Sequence, residues 1–294
     1  MALSARKLHP LFAAELTGID LRRPVAPAAL SAFRAAMDEH AICVVRHDAP
    51  LTNEQHIAFS GLLGPMERGP APKIAGTGIR LPHPEIVDQS NLDADGAVYA
   101  DGDRRLAYKR ANRLWHTDMS FYAVRATYSL LSAHEIPVVP ADTEFADMRA
   151  AWDALPAATK AEIEGLKAEH SYWHSRVLGD GPEPTEEERR TRPPVRHALV
   201  HTHPGSGRKS LYLASHASHI AGRPVEEGRA LLRELMAFAT RPEFVFAHRW
   251  RTGDVVIWDN LCTMHRATEF DDQSYRRDVR RTTVRERDPA AVDA

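Results

Sequence analysis

The sequence is poor in cysteine and contains no long apolar run. Only Cys43 and Cys262 occur among the 294 residues, which excludes a disulfide framework and a zinc site built from three or four cysteines. Each thiol lies in or beside a short apolar segment, so both are predicted to be reduced core thiols of a cytoplasmic protein. No segment approaches the roughly 20 apolar residues of a membrane-spanning helix, and the first residues lack the apolar core of a signal peptide, so no membrane association is expected.

The chain also lacks an excess of charge of one sign. Its 38 Lys and Arg residues nearly balance 40 Asp and Glu residues, giving a formal net charge of -2. A broad basic surface for nucleic acid is therefore not expected. The hydrophobic content of 43% is enough for residues 1–294 to form one enlarged domain with a substantial core. No internal repeat is present, and the sequence is compatible with a homo-oligomer.

Two histidine-x-acid triplets are present, and their surroundings differ. At this composition chance alone gives roughly two such triplets, so the motif by itself is weak. The first, His83-Pro84-Glu85, lies in a stretch rich in glycine and proline and is typical of a loop. The second, His116-Thr117-Asp118, follows Leu114-Trp115. In an extended segment His116 and Asp118 would project from one face and could bind one ion, the alternative being a strand-edge histidine and a solvated aspartate.

A second histidine follows a predicted buried strand. The β-branched run Asp254–Trp258 stands between Gly253 and Asn260, which predicts a strand that enters a turn. His265 follows this turn and can point back into the protein interior. Two histidines and one carboxylate are the protein ligands of a non-haem Fe(II) site that leaves coordination positions open. The alternative for His265 is a core histidine whose hydrogen bonds are satisfied.

An arginine-rich segment, Arg276–Arg281, precedes an apolar stretch near the end of the chain. If it forms a strand, Arg277 and Arg281 share one face. Two guanidinium groups on an inner face are unfavourable unless each meets an anion, and arginine binds carboxylates through two parallel hydrogen bonds. This pattern favours a pocket in which the two arginines bind two carboxylates, one of them from a co-substrate. The alternative is a solvent-exposed run of charged residues. Thr143 could donate its hydroxyl to a carboxylate or serve as a turn residue.

Hydrophobic periodicity predicts short strands and peripheral helices. The predicted helices cover 26–40, 52–64, 148–155, 157–169 and 225–240. The predicted strands cover 41–46, 124–133, 244–250, 254–258 and 280–284. Residues 67–113 and 176–196 are rich in glycine, proline or charge and are predicted to be long loops. The pattern indicates a mainly β fold with peripheral α-helices, a double-stranded β-helix (jelly roll) with inserted helices and long active-site loops.

The chain resembles the taurine/2,4-D dioxygenase family of Fe(II)- and 2-oxoglutarate-dependent oxygenases over nearly its whole length. Within that family it is most similar to the 2,4-dichlorophenoxyacetate dioxygenases. The motifs that carry the resemblance are Leu8–Ala14, Gln55–Phe59, Leu114–Asp118, Asp142–Phe145, Asp147–Ala151, Thr202–Lys209 and Trp258–Arg266.

The resemblance implies a role for individual residues. His116, Asp118 and His265 match the iron ligands. Thr143 and Arg277 match the positions that hold the distal carboxylate of 2-oxoglutarate, and Trp258 would flank this co-substrate. Arg281 matches the arginine for the anionic group of the substrate, and the histidines that match the substrate pocket are His203 and His216. Lys73, in the first long loop, is a further candidate for the substrate carboxylate.

The resemblance also implies the reaction. Fe(II), 2-oxoglutarate and O2 would oxidise a small anionic substrate, an aryloxyalkanoate such as 2,4-dichlorophenoxyacetate, to a phenol and glyoxylate with release of succinate and CO2. Ala97 stands where herbicide-degrading relatives can carry a lysine near the pocket. A sulfonate or another small carboxylate remains an alternative substrate. A non-catalytic anion-binding jelly roll and a zinc hydrolase are the alternatives from other classes.

Overall fold

The computed structural model describes residues 2–69, 80–100, 102–103, 105 and 109–287. Short 3-10 turns lie at Ala111–Arg113 and Pro242–Phe244. None of the described helices is both long and apolar enough to cross a membrane. The described α-helices are α1 (Pro27–His40), α2 (Asn53–Leu63), α3 (Met148–Ala154), α4 (Ala157–Ile163), α5 (Tyr172–Leu178), α6 (Glu186–Thr191) and α7 (Val225–Ala239).

Strands outnumber helices, so the fold is mainly β with added helices, as predicted. The first eight strands are β1 (Ser4–Lys7), β2 (Ala14–Thr17), β3 (Ile42–Arg46), β4 (Val87–Asp88), β5 (Ala126–Glu135), β6 (Thr143–Asp147), β7 (Lys167–His170) and β8 (Val195–Ala198). The remaining strands are β9 (Val200–Thr202), β10 (Lys209–Leu211), β11 (Ala217–Ile220), β12 (Val245–His248), β13 (Asp254–Asp259), β14 (Thr263–Ala267) and β15 (Asp278–Arg285).

The main sheet has the strand order β1-β2-β3-β13-β5-β15-β4, and a second sheet has the order β12-β6-β14. One hydrophobic cluster joins the two sheets, because Phe145 of β6 packs with Val256 and Trp258 of β13 and with Leu131 of β5. The two sheets therefore face each other, with β13 and β5 of one opposite β6 of the other. Smaller sheets, β11-β7-β8 and β10-β9, complete the strand pairing.

Helices cover the outer face of the main sheet. Phe33 and Met37 of α1 pack with Phe59 of α2 against residues of β3 and β5. The Phe33 and Phe59 rings meet edge to face with centroids 5.3 Å apart. Helix α2 begins with a capping box, since the Thr52 side chain accepts from the Gln55 backbone and the Gln55 side chain accepts from the Thr52 backbone. The inner face of the main sheet is thus left for contact with the second sheet.

The predicted helix over 157–169 is wrong in its second half. Helix α4 ends at Ile163, and Gly165 adopts a φ of 85°, a left-handed conformation that reverses the chain direction. The next residues form β7. The segment 176–196 is likewise not a simple loop, because it contains the end of α5, all of α6 and the start of β8. Helix α6 buries no side chain, so hydrophobic periodicity could not have indicated it.

Two helical glycines allow the packing of α7 to be tested. A Cβ at Gly228 of α7 would lie 2.6 Å from the Ile220 backbone nitrogen of β11, whereas a Cβ at Gly61 of α2 would meet nothing within 4 Å. We expect Gly228→Ala to lower the free energy of unfolding by about 1–3 kcal/mol through overpacking. Gly61→Ala should raise it by about 0.5–1 kcal/mol, since alanine is the better helix former. Urea unfolding of both variants checks this, and a neutral Gly228→Ala would contradict the packing.

Candidate metal centre

His116 and His265 are brought together by backbone pairing. The 3-10 turn Ala111–Arg113 ends at an extended Leu114, and His116 then forms an isolated antiparallel bridge with His265 of β14. The two backbone hydrogen bonds of this bridge are 3.0 and 2.8 Å long, and the ring centroids lie 4.1 Å apart. The extended conformation predicted for the motif holds at His116, while Asp118 lies in a turn in which Met119 has a φ of 57°.

The turn places the Asp118 carboxylate between the two imidazoles. The distance from His116 Nε2 to Asp118 Oδ1 is 4.0 Å, and that from His265 Nε2 to Asp118 Oδ2 is 3.9 Å. Ligand atoms lie about 2.0–2.2 Å from a bound transition metal, so two ligands of one ion are separated by at most about 4.4 Å. All three side chains are buried, and the sequence-predicted triad forms one cluster that can hold a metal ion.

The protonation of the cluster suits a cation. His116 Nδ1 lies 2.8 Å from the Leu114 carbonyl and donates to it, which leaves the Nε2 lone pair directed at the cluster. Burial lowers the pKa of His116 and lowers that of His265 well below its usual value, so both rings are neutral at pH 7. Burial alone would raise the pKa of Asp118, but Arg281 and the two histidines hold it at about 2. The donor set is therefore two neutral imidazoles and one carboxylate.

A buried hydrogen-bond network fixes the Asp118 carboxylate. Ser129 of β5 donates to Asp118 Oδ2 at 2.7 Å, and the Asp118 backbone N–H donates to Asn260 Oδ1 at 3.2 Å. Asn260 donates to Ser129 Oγ and accepts from Trp258 Nε1, each at 3.0 Å. Sequence reasoning did not single out Ser129 or Asn260. Asn260 lies in a motif that carried the resemblance, whereas nothing in the sequence distinguishes Ser129 from other strand serines.

The cluster borders a cavity between the two sheets. Arg281 pairs with Asp118 at its edge. Arg277 is buried, and its Nε has no hydrogen-bond partner among the described residues. Burial lowers the pKa of Arg277 to about 10, so this guanidinium remains charged at neutral pH. The lining residues include Gln89, Ser90, Asn91, Lys109, Arg113, His116, Leu131, Thr143, Trp258, His265, Arg277 and Arg281.

The residues expected around a co-substrate therefore meet in one place. Thr143, Trp258 and Arg277 all border the cavity, as do both candidate histidine ligands. Thr143 Oγ1 accepts a hydrogen bond from Trp250 Nε1 at 3.0 Å, which leaves its own hydroxyl hydrogen available to an anion. The cavity thus combines a candidate metal centre with one buried arginine, one partly buried arginine and a hydroxyl donor.

The other predicted substrate histidines are absent from the described lining of the cavity, but the His216 ring packs edge to face against the candidate ligand His116, with centroids 6.2 Å apart. His203 is buried and contacts Asp259 Oδ2 at 2.9 Å, and His216 contacts Ser120 Oγ at 3.0 Å. Neither histidine is among the described residues that line the cavity. Asp259 also accepts from the Leu261 backbone, so His203 supports the turn that leads to His265. Lys73 lies outside the described residues. Lys109, which the sequence did not indicate, borders the cavity instead.

The Ser129 hydrogen bond gives a test of how the carboxylate is held. We expect Ser129→Ala to weaken binding of Mn(II) by about ten- to a hundredfold, because partners that orient a ligand carboxylate contribute about this much to metal affinity. Ser132→Ala is the matched control, since Ser132 is a buried serine on the same strand whose hydroxyl contacts His134 rather than Asp118. Titration followed by electron paramagnetic resonance measures both affinities. Equal affinities in the two variants would contradict the positioning role.

Comparison with known proteins identifies the family. The chain matches the family described as taurine catabolism dioxygenase TauD, TfdA family, over residues 4–283. It is 46% identical over 284 residues to the alpha-ketoglutarate-dependent 2,4-dichlorophenoxyacetate dioxygenase of Cupriavidus pinatubonensis, with 97% of this chain and 98% of that protein covered. The (S)-phenoxypropionate/alpha-ketoglutarate-dioxygenase of Sphingobium herbicidovorans is 35% identical over 289 residues, with 92% of this chain and 91% of that protein covered.

A solved structure agrees with these sequence relatives. The crystal structure of AAD-2 in complex with Mn(II) and N-oxalylglycine superposes with a TM-score of 0.91 and 44% sequence identity. The match covers 98% of this chain and 99% of that chain. The chain therefore belongs to the TauD/TfdA family of dioxygenases.

Proposed function

We propose that this protein is an Fe(II)- and 2-oxoglutarate-dependent dioxygenase that oxidises an aryloxyalkanoate such as 2,4-dichlorophenoxyacetate. The observation that carries the proposal is the buried His116, Asp118 and His265 cluster beside a cavity that is also lined by the buried Arg277 and the partly buried Arg281. Relatives with this activity in their names match over nearly the full length of the chain. The proposed dioxygenase domain covers residues 1–294. A double-stranded β-helix is supported by the way the sheet β12-β6-β14 faces strands β5, β13 and β15 of the main sheet.

The residues present fit both the metal and the co-substrate. Two neutral imidazoles and one carboxylate are the donor set of non-haem Fe(II) oxygenases, and His116, Asp118 and His265 would hold the ion. The Nε of buried Arg277 has no hydrogen-bond partner among the described residues, so an anion bound in the cavity would stabilise this guanidinium. Arg277 and Thr143 would hold the distal carboxylate of 2-oxoglutarate, with Trp258 beside its chain. When bound, Fe(II) supplies the oxidising chemistry, in which O2 and 2-oxoglutarate are converted with release of succinate and CO2.

The side chains of this protein bind and orient the reactants. Arg281 Nη1 is paired with Asp118, but its Nε has no partner among the described residues, so the guanidinium retains donors for a substrate carboxylate. A carboxylate held there would place the adjacent carbon near the metal cluster, because Arg281 contacts a candidate ligand directly. Hydroxylation of that carbon in an aryloxyacetate gives a hemiacetal, which splits into a phenol and glyoxylate.

Succinate formation tests the proposed function. We expect Fe(II)-loaded protein to form succinate from 2-oxoglutarate and O2 with an equal amount of phenol from 2,4-dichlorophenoxyacetate or one enantiomer of 2-phenoxypropionate. His116→Ala should abolish this coupled turnover, because it removes one of three metal ligands. Coupled turnover with taurine instead would move the substrate class to sulfonates. Coupled turnover by His116→Ala would show that the ligand assignment is wrong.

The two cavity arginines allow their roles to be separated. We expect Arg281→Gln to raise the KM for the aryloxy acid by about ten- to a hundredfold, the effect of losing a charge-assisted hydrogen bond, while the KM for 2-oxoglutarate changes little. Steady-state kinetics measure both KM values. Fe(II) is kept saturating because Arg281 also pairs with the candidate metal ligand Asp118, so a change in metal affinity does not alter the KM values. Arg280→Gln is the control, because the adjacent Arg280 pairs with Asp278 and Asn53. Equal increases in both KM values would contradict the division between Arg277 and Arg281.

A further inference from the structure

Lys109 is a basic residue on the cavity wall that the sequence did not indicate. It lies two residues before the 3-10 turn that leads to the His116, Asp118 and His265 cluster, and it borders the same cavity as Arg277, Thr143 and Trp258. Its side chain is partly buried. A lysine on the wall of a closed pocket is unusual unless an anion compensates its charge.

The protein itself compensates little of the Lys109 charge. Nζ donates one hydrogen bond to the Ser90 carbonyl and lies 4.8 Å from the centroid of the Tyr99 ring. An ammonium group has three N–H donors, and no carboxylate among the described residues forms an ion pair with it. The acid with the largest influence on it, Asp88, is already engaged by Arg80 at 2.7 and 2.8 Å. Donors of Lys109 therefore remain for a ligand.

Lys109 and Arg277 are both hydrogen-bonded to one short segment, Lys109 through its side chain and Arg277 through its backbone. Ser90 accepts from Lys109, and Asn91 Oδ1 accepts from the Arg277 backbone N–H at 2.7 Å. Burial lowers the pKa of Lys109 to about 8, and the positive charge of Arg277 is among those that act in the same direction. Two cations that form no ion pair with a carboxylate among the described residues thus line the same cavity, whereas Arg281 is paired with Asp118.

We propose that Lys109 binds the distal carboxylate of 2-oxoglutarate together with Arg277, an inference that rests on the proposed function. The co-substrate is a dianion, and the carboxylate far from its keto group is the anion that Arg277 would hold. Arg277 offers a planar fork that fixes the orientation of this carboxylate, and Lys109 adds a compact charge beside it. The substrate carboxylate is the less suitable partner for Lys109. That carboxylate is assigned to Arg281, which pairs with Asp118 of the candidate metal site, whereas Lys109 acts together with Arg277.

This arrangement makes Lys109 a residue that selects between 2-oxo acids. Lys109 would contribute to binding of 2-oxoglutarate but not to binding of 2-oxopentanoate, which has the same chain length and ends in a methyl group. A general loss of structure would weaken both acids alike. The ratio of the two affinities therefore separates a direct contact from an indirect effect.

The test measures binding to Mn(II)-loaded protein by calorimetry without O2, so it does not depend on turnover. We expect Lys109→Met to raise the Kd for 2-oxoglutarate and for N-oxalylglycine by about ten- to a hundredfold, the range for a lost charge-assisted hydrogen bond. The Kd for 2-oxopentanoate and the KM for the aryloxy acid should stay within about twofold. Lys109→Arg should restore most of the affinity for the dicarboxylates, since it keeps the charge.

Arg105→Met is the matched control. Arg105 stacks on the same Tyr99 ring with its guanidinium carbon 4.0 Å from the centroid, but it pairs with Asp103 and does not border the cavity. This variant should bind 2-oxoglutarate as the wild type does. An increase in the Kd for 2-oxoglutarate as large as that of Lys109→Met would show that the effect arises from the loop around Tyr99 and overturn the proposal.

Other outcomes are also decisive. A Lys109→Met variant that binds 2-oxoglutarate normally, or that is impaired only in the KM for the aryloxy acid, would show that Lys109 does not hold the co-substrate. If Mn(II)-loaded wild type binds neither 2-oxoglutarate nor N-oxalylglycine, the proposed function itself fails. These results are distinguishable, because the first leaves wild-type binding of 2-oxoglutarate intact and the second removes it.

Discussion

The burial of the Asp118 carboxylate is the constraint on which the rest of the site depends. A carboxylate in a dry interior is stable as an anion only when charges and donors surround it. Here the compensation comes from Arg281 of β15, Ser129 of β5 and the turn after β13, to which Asn260 belongs. These strands are neighbours in the main sheet, so the same pairing that builds the sheet also gathers the groups that stabilise the charge. The carboxylate therefore needs the finished sheet around it.

The distribution of charge along the cavity gives its two ends different properties. Near the cluster, Asp118 and Arg281 neutralise each other, and two neutral imidazoles complete a donor set that prefers a divalent cation. On the same cavity, Arg277 and Lys109 carry positive charge that no carboxylate among the described residues pairs with. A ligand with one chelating end and one anionic end satisfies both regions at once. This asymmetry would give a 2-oxo dicarboxylate one preferred orientation in the cavity.

Much of this site was predictable from the sequence, and what was missed has physical reasons. The His116, Asp118 and His265 triad was accessible because both of its segments lie in motifs that carry the family resemblance, and Arg277 and Arg281 were accessible because two arginines on one face of a strand need anions. Ser129 and Lys109 were not, because a strand serine and a loop lysine have the same local signature whether or not they contact a ligand. Helix α6 could not be found because it buries nothing, and the end of α4 was misplaced because Gly165 carries no periodic signal.

The backbone bridge between His116 and His265 also bears on how the protein matures. About half of the chain separates the two histidines, and Arg281, which compensates the carboxylate between them, comes later still. During synthesis the N-terminal half emerges first and carries only His116 and Asp118 of the three candidate ligands. A tight site can form only when β14 and β15 have been added, so metal loading is a late event that follows folding. The three candidate ligands are therefore brought together by the folded C-terminal strands and not by a local sequence motif.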